Sequence, residues 1–120
     1  MHEISIALSL LEGLSEEAER RRIGRVSAVR VRIGVMSAVV KDSLLFAWDL
    51  AAAGTIAEGS ELKIEEVPLA LWCSKCDCER APTFPTSFQC SVCGTFATEI
   101  RHGRELDIVA MEVPDDIPAG

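Results

Sequence analysis

The chain has 120 residues, 48% of them hydrophobic, and a formal net charge of −7 at pH 7. This length fits one domain, or one domain with a small insert, and the apolar content excludes a disordered chain. A net acidic protein gains little from counterion release on a phosphate backbone, which excludes nucleic acid as its default partner. The most apolar run, 44–53, contains Asp49 and is too short to span a bilayer. Because the N-terminus also lacks the positive region of a signal peptide, we expect a cytoplasmic protein that does not bind membranes.

Hydrophobic periodicity predicts a helix and then a strand in the first third of the chain. Apolar residues at helical spacing place the helix over roughly 4–20. Its expected buried stripe is Ile4, Ala7, Leu8, Leu11, Leu14 and Ala18. Alternation late in the segment 25–33 predicts a half-buried strand, which Gly34 ends. The residues expected on its buried face are Val29, Val31 and Ile33.

A second helix and two further strands follow. Either Asp42 or Ser43 is a suitable N-cap for the helix. Its expected buried stripe is Leu44, Leu45, Trp48, Ala51 and Ala52. Alternation predicts strands over 61–67 and 106–110.

The order of these elements predicts an α/β fold, more strictly α+β, in which two helices and a small sheet form one domain. Between the last two predicted strands the composition changes, and the segment 69–103 contains all five cysteines. We therefore expect a discontinuous α/β domain of residues 1–67 and 104–113, with a zinc-ribbon-like domain inserted at 68–103. Residues 114–120 are expected to form a flexible tail.

Two cysteine pairs carry the most specific chemical signal. Cys73 and Cys76 are followed, after thirteen residues, by Cys90 and Cys93. Two residues between paired cysteines let one turn aim both sulfur atoms at one point, and four thiolates satisfy tetrahedral zinc. Since four protein ligands leave no open position, the pattern predicts structural zinc, with a binding free energy of roughly 10–16 kcal/mol. The alternative is two redox-active pairs, but a thioredoxin-like motif would occur once, at the start of a helix.

Other residues of the insert have roles that the sequence leaves open. Cys78 is either an unligated thiol or a competing zinc ligand. Lys75 and Arg80 either offset the charge of the four thiolates or are ordinary surface residues. His102 is either a surface residue or a metal ligand. Three phenylalanines are expected to pack around the zinc loops, namely Phe84, Phe88 and Phe96.

The first three residues, Met1, His2 and Glu3, offer a second type of metal site. The bulky second side chain should prevent removal of Met1, so the Met1 amine stays beside the imidazole of His2 and the first backbone amides. Ni(II) accepts such nitrogen ligands in a square plane, and the amine and imidazole lose protons near neutral pH. The sequence therefore predicts an open Ni(II) site at this end of the chain, from which the metal can pass to a partner.

Several segments, spread over nearly the whole chain, form a specific combination. They are 1–5, 32–34, 43–46, 57–62, 103–108 and the two cysteine pairs. This combination resembles the HypA family, the nickel-insertion accessory proteins of NiFe-hydrogenase maturation. The resemblance implies an α/β nickel domain with an inserted zinc domain, and a metallochaperone rather than an enzyme.

The resemblance to HypA proteins also implies ligands and partners. It implies that Met1, His2 and Glu3 bind Ni(II), and that the four paired cysteines bind structural Zn2+. The implied partners are the GTPase HypB, the precursor of the NiFe-hydrogenase large subunit and, for some family members, urease accessory proteins. There are two departures from the family pattern. Residues 40–41 (Val-Lys) stand where an acidic residue and a proline are common, and the stretch after Cys93 lacks the histidine that some members carry.

A second function class stays open at the level of sequence. It is a zinc-ribbon module for protein interaction, or a nucleic-acid adaptor, without a nickel function. Such a module predicts zinc alone, whereas a metallochaperone predicts one tight zinc and one weaker nickel. The net charge of −7 argues against the nucleic-acid adaptor. No arrangement of a nucleophile with a base is visible, so we expect no enzymatic activity.

Overall fold

Two helices and six strands make up the described part of the chain. The computed structural model describes residues 2–84 and 87–114. In chain order the elements are α1 (Glu3–Arg20), β1 (Ala28–Gly34), a 3-10 turn (Val35–Ser37), α2 (Lys41–Ala52), β2 (Glu61–Val67), β3 (Ala70–Cys73), β4 (Cys78–Arg80), β5 (Glu99–His102) and β6 (Leu106–Glu112). The strands form two three-stranded sheets, one in the order β2-β1-β6 and the other in the order β4-β3-β5. This architecture confirms the predicted α/β (α+β) class. Among these residues, no helix is long and apolar enough to cross a membrane.

The chain divides into two compact units. The first contains the chain up to Val31, the segment Val39–Glu65 and the chain from Asp107 onward. The second contains the segments Arg32–Ala38 and Glu66–Leu106. The short segment Arg32–Ala38 therefore groups with the cysteine-containing part of the chain, whereas the sequence-based division assigns it to the first domain.

Helix α1 buries one continuous face within the first unit. Its buried residues are Ile6, Ala7, Leu10, Leu11, Leu14 and Ala18. The predicted stripe was wrong in the first two turns, because Ile4 and Leu8 are 41% and 52% exposed. The sequence offers two overlapping apolar stripes here, and the one through Ile6 and Leu10 continues at a spacing of four residues to Leu14. That stripe covers the whole helix, and it is the one that is buried.

Helix α2 begins earlier than predicted. The residue before it, Val40, is extended, and no side chain caps the helix, so neither Asp42 nor Ser43 is the N-cap. Asp42 instead lies in the first turn, where its negative charge favours the helix dipole. The buried residues of α2 are Leu44, Ala47, Trp48 and Ala52. The predicted stripe members Leu45 and Ala51 are only half-buried.

The first sheet matches its predicted strands closely. All three residues predicted on the buried face of β1 are buried, namely Val29, Val31 and Ile33. β2 has the predicted bounds, and β6 continues beyond its predicted end to Glu112. The Ser27 amide donates to the Glu112 carbonyl at 2.8 Å, and the Ser27 carbonyl accepts from the Glu61 amide at 3.0 Å. These two bonds tie the residue before β1 to both neighbouring strands.

The second unit contains a small sheet that the sequence analysis missed. β3 pairs antiparallel with β4 on one side and with β5 on the other. Strands of three or four residues are too short for an alternating pattern to be recognised. Leu71 and Cys73 of β3 are both fully buried, so this strand supplies the interior of the unit.

Gly34, at the end of β1, lies against the backbone of Gly103 within the second unit. The Gly34 amide donates to the Glu105 carbonyl at 2.8 Å, and the Met36 amide donates to the Gly103 carbonyl at 2.7 Å. A Cβ atom at Gly34 would lie 2.1 Å from both the carbonyl carbon and the carbonyl oxygen of Gly103. Because non-bonded atoms cannot approach one another so closely, the residue at position 34 must be glycine for the two backbones to be in contact.

The carboxylate of Glu105 holds the turn that follows β5. Its Oε1 accepts a hydrogen bond from the Gly103 amide at 2.7 Å, and its Oε2 lies 3.0 Å from Nδ1 of His102. The side chain of Glu105 is only 15% exposed. Burial raises the pKa of Glu105, but the hydrogen bonds from Gly103 and His102 outweigh burial and lower the pKa to about 2.

Replacing Glu105 by glutamine is expected to lower the free energy of unfolding at pH 7 by roughly 2 kcal/mol. The pKa of the folded state lies below the ordinary value of 4.5, so the ionised carboxylate stabilises the fold above that pH. This contribution is lost as the pH falls through about 2. Urea unfolding at pH 7 measures the difference between the two proteins, because acid would also protonate the thiols and release zinc. Glu99→Gln, at a position 55% exposed, is the control. A loss of stability no larger than that of Glu99→Gln contradicts this role for the carboxylate.

Candidate metal centre

Four cysteine sulfur atoms converge in the second unit. The Sγ atoms of Cys73, Cys76, Cys90 and Cys93 all lie within 4.8 Å of one another. Cys73 Sγ lies 3.4 Å from Cys93 Sγ, and Cys76 Sγ lies 3.9 Å from Cys90 Sγ. Four sulfur atoms bound to zinc at about 2.3 Å would be about 3.8 Å apart in a regular tetrahedron. Their spacing therefore fits a single tetrahedral ion, and no other such group of three or more ligands occurs among the described residues.

Two tight turns present these sulfur atoms. Cys73 ends β3, and the turn after it closes with a hydrogen bond from the Asp77 amide to the Cys73 carbonyl at 2.8 Å. The second turn closes in the same way, from the Gly94 amide to the Cys90 carbonyl at 2.9 Å. Asp77 and Gly94 have positive φ angles of 56° and 76°. The turns are alike because the two cysteine pairs have the same spacing and each turn needs a left-handed residue at its end.

Backbone amides point at two of the sulfur atoms. The Cys76 amide donates to Cys73 Sγ at 3.4 Å. Cys90 Sγ accepts from the amides of Val92 and Cys93 at 3.4 and 3.5 Å. Donors of this kind favour the thiolate over the thiol, and the thiolate is the form that binds metal. The backbone amides of both turns thus favour the thiolate form that binds a cation.

The remaining two sulfur atoms have side-chain neighbours. The Thr95 hydroxyl lies 3.2 Å from Cys93 Sγ and, together with the Thr95 backbone, lowers the pKa of Cys93 to about 6. The Arg80 guanidinium lowers the pKa of Cys76, but burial and the three other thiols outweigh Arg80 and raise the pKa of Cys76 to about 11. A fourth thiol beside others resists ionisation unless a cation is present. The chemistry of this set of donors therefore fits a divalent metal.

The other predictions for the insert have mixed outcomes. Cys78 lies outside the group of four; it is half-buried and faces Cys73 across the β3–β4 hairpin. The predicted packing of the phenylalanines was wrong, because Phe84, Phe88 and Phe96 are 60%, 41% and 69% exposed. Burial around the turns is supplied instead by the cysteines and Leu71, since Cys73, Cys90 and Leu71 are fully buried. Sequence reasoning also missed the contact of Thr95, for which its position two residues after Cys93 was the available signal.

The histidines are both exposed. His2 precedes α1 with an extended backbone (φ −76°, ψ 143°), and Glu3 is the first residue of the helix. Met1, the first of the three expected nickel ligands, lies outside the described residues. In the second unit, His102 Nδ1 lies 3.0 Å from Glu105 Oε2 and His102 Nε2 lies 3.5 Å from Glu79 Oε1. A carboxylate therefore faces each ring nitrogen of His102.

Comparison with known proteins identifies the family. A family model described as hydrogenase/urease nickel incorporation, metallochaperone, hypA matches residues 1–113. The chain belongs to the HypA family. Relatives named hydrogenase maturation factor HypA agree with this assignment. The one from Roseiflexus sp. (strain RS-1) is 45% identical over 118 residues, covering 98% of this chain and 96% of its own. The one from Chloroflexus aurantiacus (strain ATCC 29366 / DSM 635 / J-10-fl) is 44% identical over 114 residues, covering 95% and 100%.

Solved structures of HypA proteins have the same fold. A solution structure of the Ni metallochaperone HypA from Helicobacter pylori matches with a TM-score of 0.69 and 25% identity. The match covers 93% of this chain and 97% of that chain. A second solution structure, of a HypA protein, has a TM-score of 0.71 and covers 95% and 97%. The predicted resemblance to HypA is therefore confirmed, and the chain is a member of a nickel metallochaperone family for hydrogenase and urease.

Proposed function

We propose that this HypA-family chain binds Ni(II) through Met1, His2 and Glu3 and delivers it for NiFe-hydrogenase maturation. The observation that carries this proposal is the family match, which begins at residue 1 and so includes all three residues. The proposed partners are the GTPase HypB and the precursor of the hydrogenase large subunit. Urease accessory proteins are a second group of proposed partners. The proposed role is metal transfer in the cytoplasm, without catalysis.

The start of α1 supports nickel binding by backbone nitrogen. The first hydrogen bonds of the helix run from the amides of Ser5 and Ile6 to the His2 carbonyl, at 3.0 and 3.2 Å. The amides of His2 and Glu3 precede these donors, and the first amides of a helix have no acceptor within it. Ni(II) can therefore displace their protons without breaking a helical hydrogen bond. The exposed imidazole of His2 is available to the same ion.

The second part of the proposal is structural Zn2+ bound by Cys73, Cys76, Cys90 and Cys93. It is supported by the mutual spacing of their sulfur atoms, which is within 4.8 Å, and by the amide donors of both turns. When bound, zinc would supply the positive charge that four adjacent thiolates require. We also propose the division into a nickel-binding domain of 1–67 with 104–113, an inserted zinc domain of 68–103, and a flexible tail of 114–120.

Calorimetric titration of Ni(II) into zinc-loaded protein with a native N-terminus tests the nickel site. We expect one equivalent to bind, and His2→Ala to weaken binding by about tenfold or more. A chain extended by one residue before Met1 should lose binding similarly, because the amine is then displaced from the imidazole. His102→Ala is the matched control, since it removes the other exposed histidine, and should bind as the unaltered chain does.

Two outcomes contradict the nickel proposal. Equal binding by all four proteins would remove Met1 and His2 from the site. If none of the four proteins binds Ni(II), the remaining function is the alternative left open by the sequence, a zinc-dependent interaction module.

A further inference from the structure

Strand β6 is an edge of the first sheet, whose order is β2-β1-β6. Among the described residues no strand pairs with its outer side, so one row of its amide and carbonyl groups is open to hydrogen bonding. None of its seven residues is buried, whereas five of the seven residues of the central strand β1 are buried. Yet five residues of β6 are apolar, namely Leu106, Ile108, Val109, Ala110 and Met111. β6 therefore presents both unpaired backbone and uncovered apolar side chains.

The two edges of this sheet differ in their protection against strand pairing. Charged side chains on an edge strand oppose the addition of another strand. The opposite edge, β2, has four of them, at Glu61, Lys63, Glu65 and Glu66. β6 has only Asp107 and Glu112, with four consecutive uncharged residues between them. The edge at β6 is therefore the one on which an additional strand can pair.

The charge around β6 favours a basic partner. The segment 105–120 contains five acidic residues and no basic residue. The carboxylate of Glu112 is already engaged, because its Oε2 lies 3.0 Å from Lys63 Nζ. Asp107 is exposed and makes no ion pair with the described residues. Lysine or arginine near the ends of an added strand would be attracted to this negative charge, whereas an acidic strand would be repelled.

A second copy of the chain fits this edge poorly. Two identical edge strands related by a two-fold axis pair antiparallel. Full overlap of two β6 strands would place Asp107 of each copy opposite Glu112 of the other. Like charges directly opposite each other destabilise a pair of strands, and each chain has a net charge of −7. Self-pairing is therefore opposed at the same positions at which a basic strand would be attracted.

We propose that the open edge of β6 binds an extended segment of a basic protein partner by strand addition. The segment has apolar residues at its centre and lysine or arginine at its ends. Main-chain hydrogen bonds supply the affinity in this mode of recognition, and alternate side chains supply the specificity. Its apolar side chains cover Val109 and Met111, which share one face of the strand. The surface involves none of the residues proposed to bind Ni(II), so the inference does not depend on that site.

Two fluorescent peptides test the preference for a basic strand, with the full-length, zinc-loaded protein and anisotropy as the measurement. They have the sequences KVTVTVK and EVTVTVE, which differ only in the charge of their ends. We expect the basic peptide to bind about tenfold more tightly than the acidic one. Asp107→Lys should remove this preference. Glu58→Lys is the matched control, because it makes the same charge change at an exposed position between α2 and β2, and it should keep the preference.

A charge placed in the middle of the edge tests the position of the docking surface. Val109 is 48% exposed, so we expect Val109→Lys to leave the circular dichroism spectrum unchanged. The new lysine should weaken binding of the basic peptide by about tenfold or more, because it protects the edge as the charges of β2 do. Val40→Lys is the control, since Val40 is 56% exposed and precedes α2 outside the sheet. It should bind the peptide as the unaltered chain does.

Amide hydrogen exchange distinguishes strand addition from docking of side chains alone. Pairing through the backbone should slow the exchange of amides within β6 by about tenfold, while those of α2 stay unchanged. Unchanged exchange in the complex would overturn the proposal, as would equal affinity for the two peptides or no binding of either. So would unaltered binding by Val109→Lys. A dimer in sedimentation equilibrium that Val109→Lys dissociates would also overturn it, and would assign the edge to a second copy.

Discussion

Replacing Cys90 by serine is expected to abolish zinc binding and to unfold the second unit. Cys90 is fully buried and accepts two amide hydrogen bonds at its sulfur. Serine offers a poor zinc ligand there, and a three-ligand site loses much of the roughly 10–16 kcal/mol that a structural zinc contributes to folding. The β3–β4–β5 sheet has strands of only three or four residues, so little apolar burial remains to hold it. We expect α1 and α2, which belong to the first unit, to keep their structure.

Two measurements check this expectation. Metal analysis after gel filtration should give one zinc per unaltered chain and none per Cys90→Ser chain. The amide resonances of Glu66–Leu106 should lose their chemical-shift dispersion, while those of α1 stay dispersed. Cys78→Ser is the matched control, because Cys78 lies outside the group of four, and it should keep one zinc. A Cys90→Ser protein that retains zinc and dispersed resonances would rule out the cysteine quartet as the organiser of this unit.

Replacing Gly34 by alanine is expected to lower the free energy of unfolding by about 3 kcal/mol or more. The added Cβ would lie 2.1 Å from the carbonyl carbon and oxygen of Gly103. Neither backbone can move aside without breaking the bonds from the Gly34 amide to Glu105 and from the Met36 amide to Gly103. Because these are backbone atoms and not the end of a flexible side chain, the strain cannot be relieved by a change of rotamer.

Urea unfolding monitored by circular dichroism measures the change in the free energy of unfolding caused by Gly34→Ala. Gly13→Ala is the matched control, since Gly13 lies exposed in α1 and a Cβ there would meet nothing within 4 Å. It should stabilise the protein by roughly 0.5–1 kcal/mol, because alanine is a better helix former than glycine. The two substitutions are thus expected to have opposite signs. If Gly34→Ala also stabilises, the close approach of Gly34 and Gly103 is not a feature of the folded protein.

The parts of the fold that could be predicted are those with long periodic patterns. β1 and β2 have seven residues each, and alternation over part of each strand was sufficient to locate it. α1 was located correctly, but Ile4 and Leu8 were assigned to the buried face because two apolar stripes overlap at its start. The β3–β4–β5 sheet was missed, since its pairing depends on the cysteine turns and not on a pattern within each strand.

The candidate zinc site could be predicted because the sequence itself shows the four cysteines and the spacing between them. Cys78 could not be separated from the paired cysteines by spacing alone, whereas in the structure its sulfur is not part of the group that lies within 4.8 Å. The N-terminal nickel site stays a prediction, which the titration of His2→Ala tests.

The hydrogen bonds that close the second unit impose an order on its formation. Ser37 Oγ donates to the Glu105 carbonyl at 3.3 Å across 68 positions of the chain. On the ribosome, all four paired cysteines leave the exit tunnel before Glu105 does. Their two turns use local backbone bonds, so both turns can form before the acceptors of Gly34 and Ser37 have been synthesised. Completion of this unit then depends on a long-range closure that follows synthesis of Glu105, a step that is slower than hairpin formation.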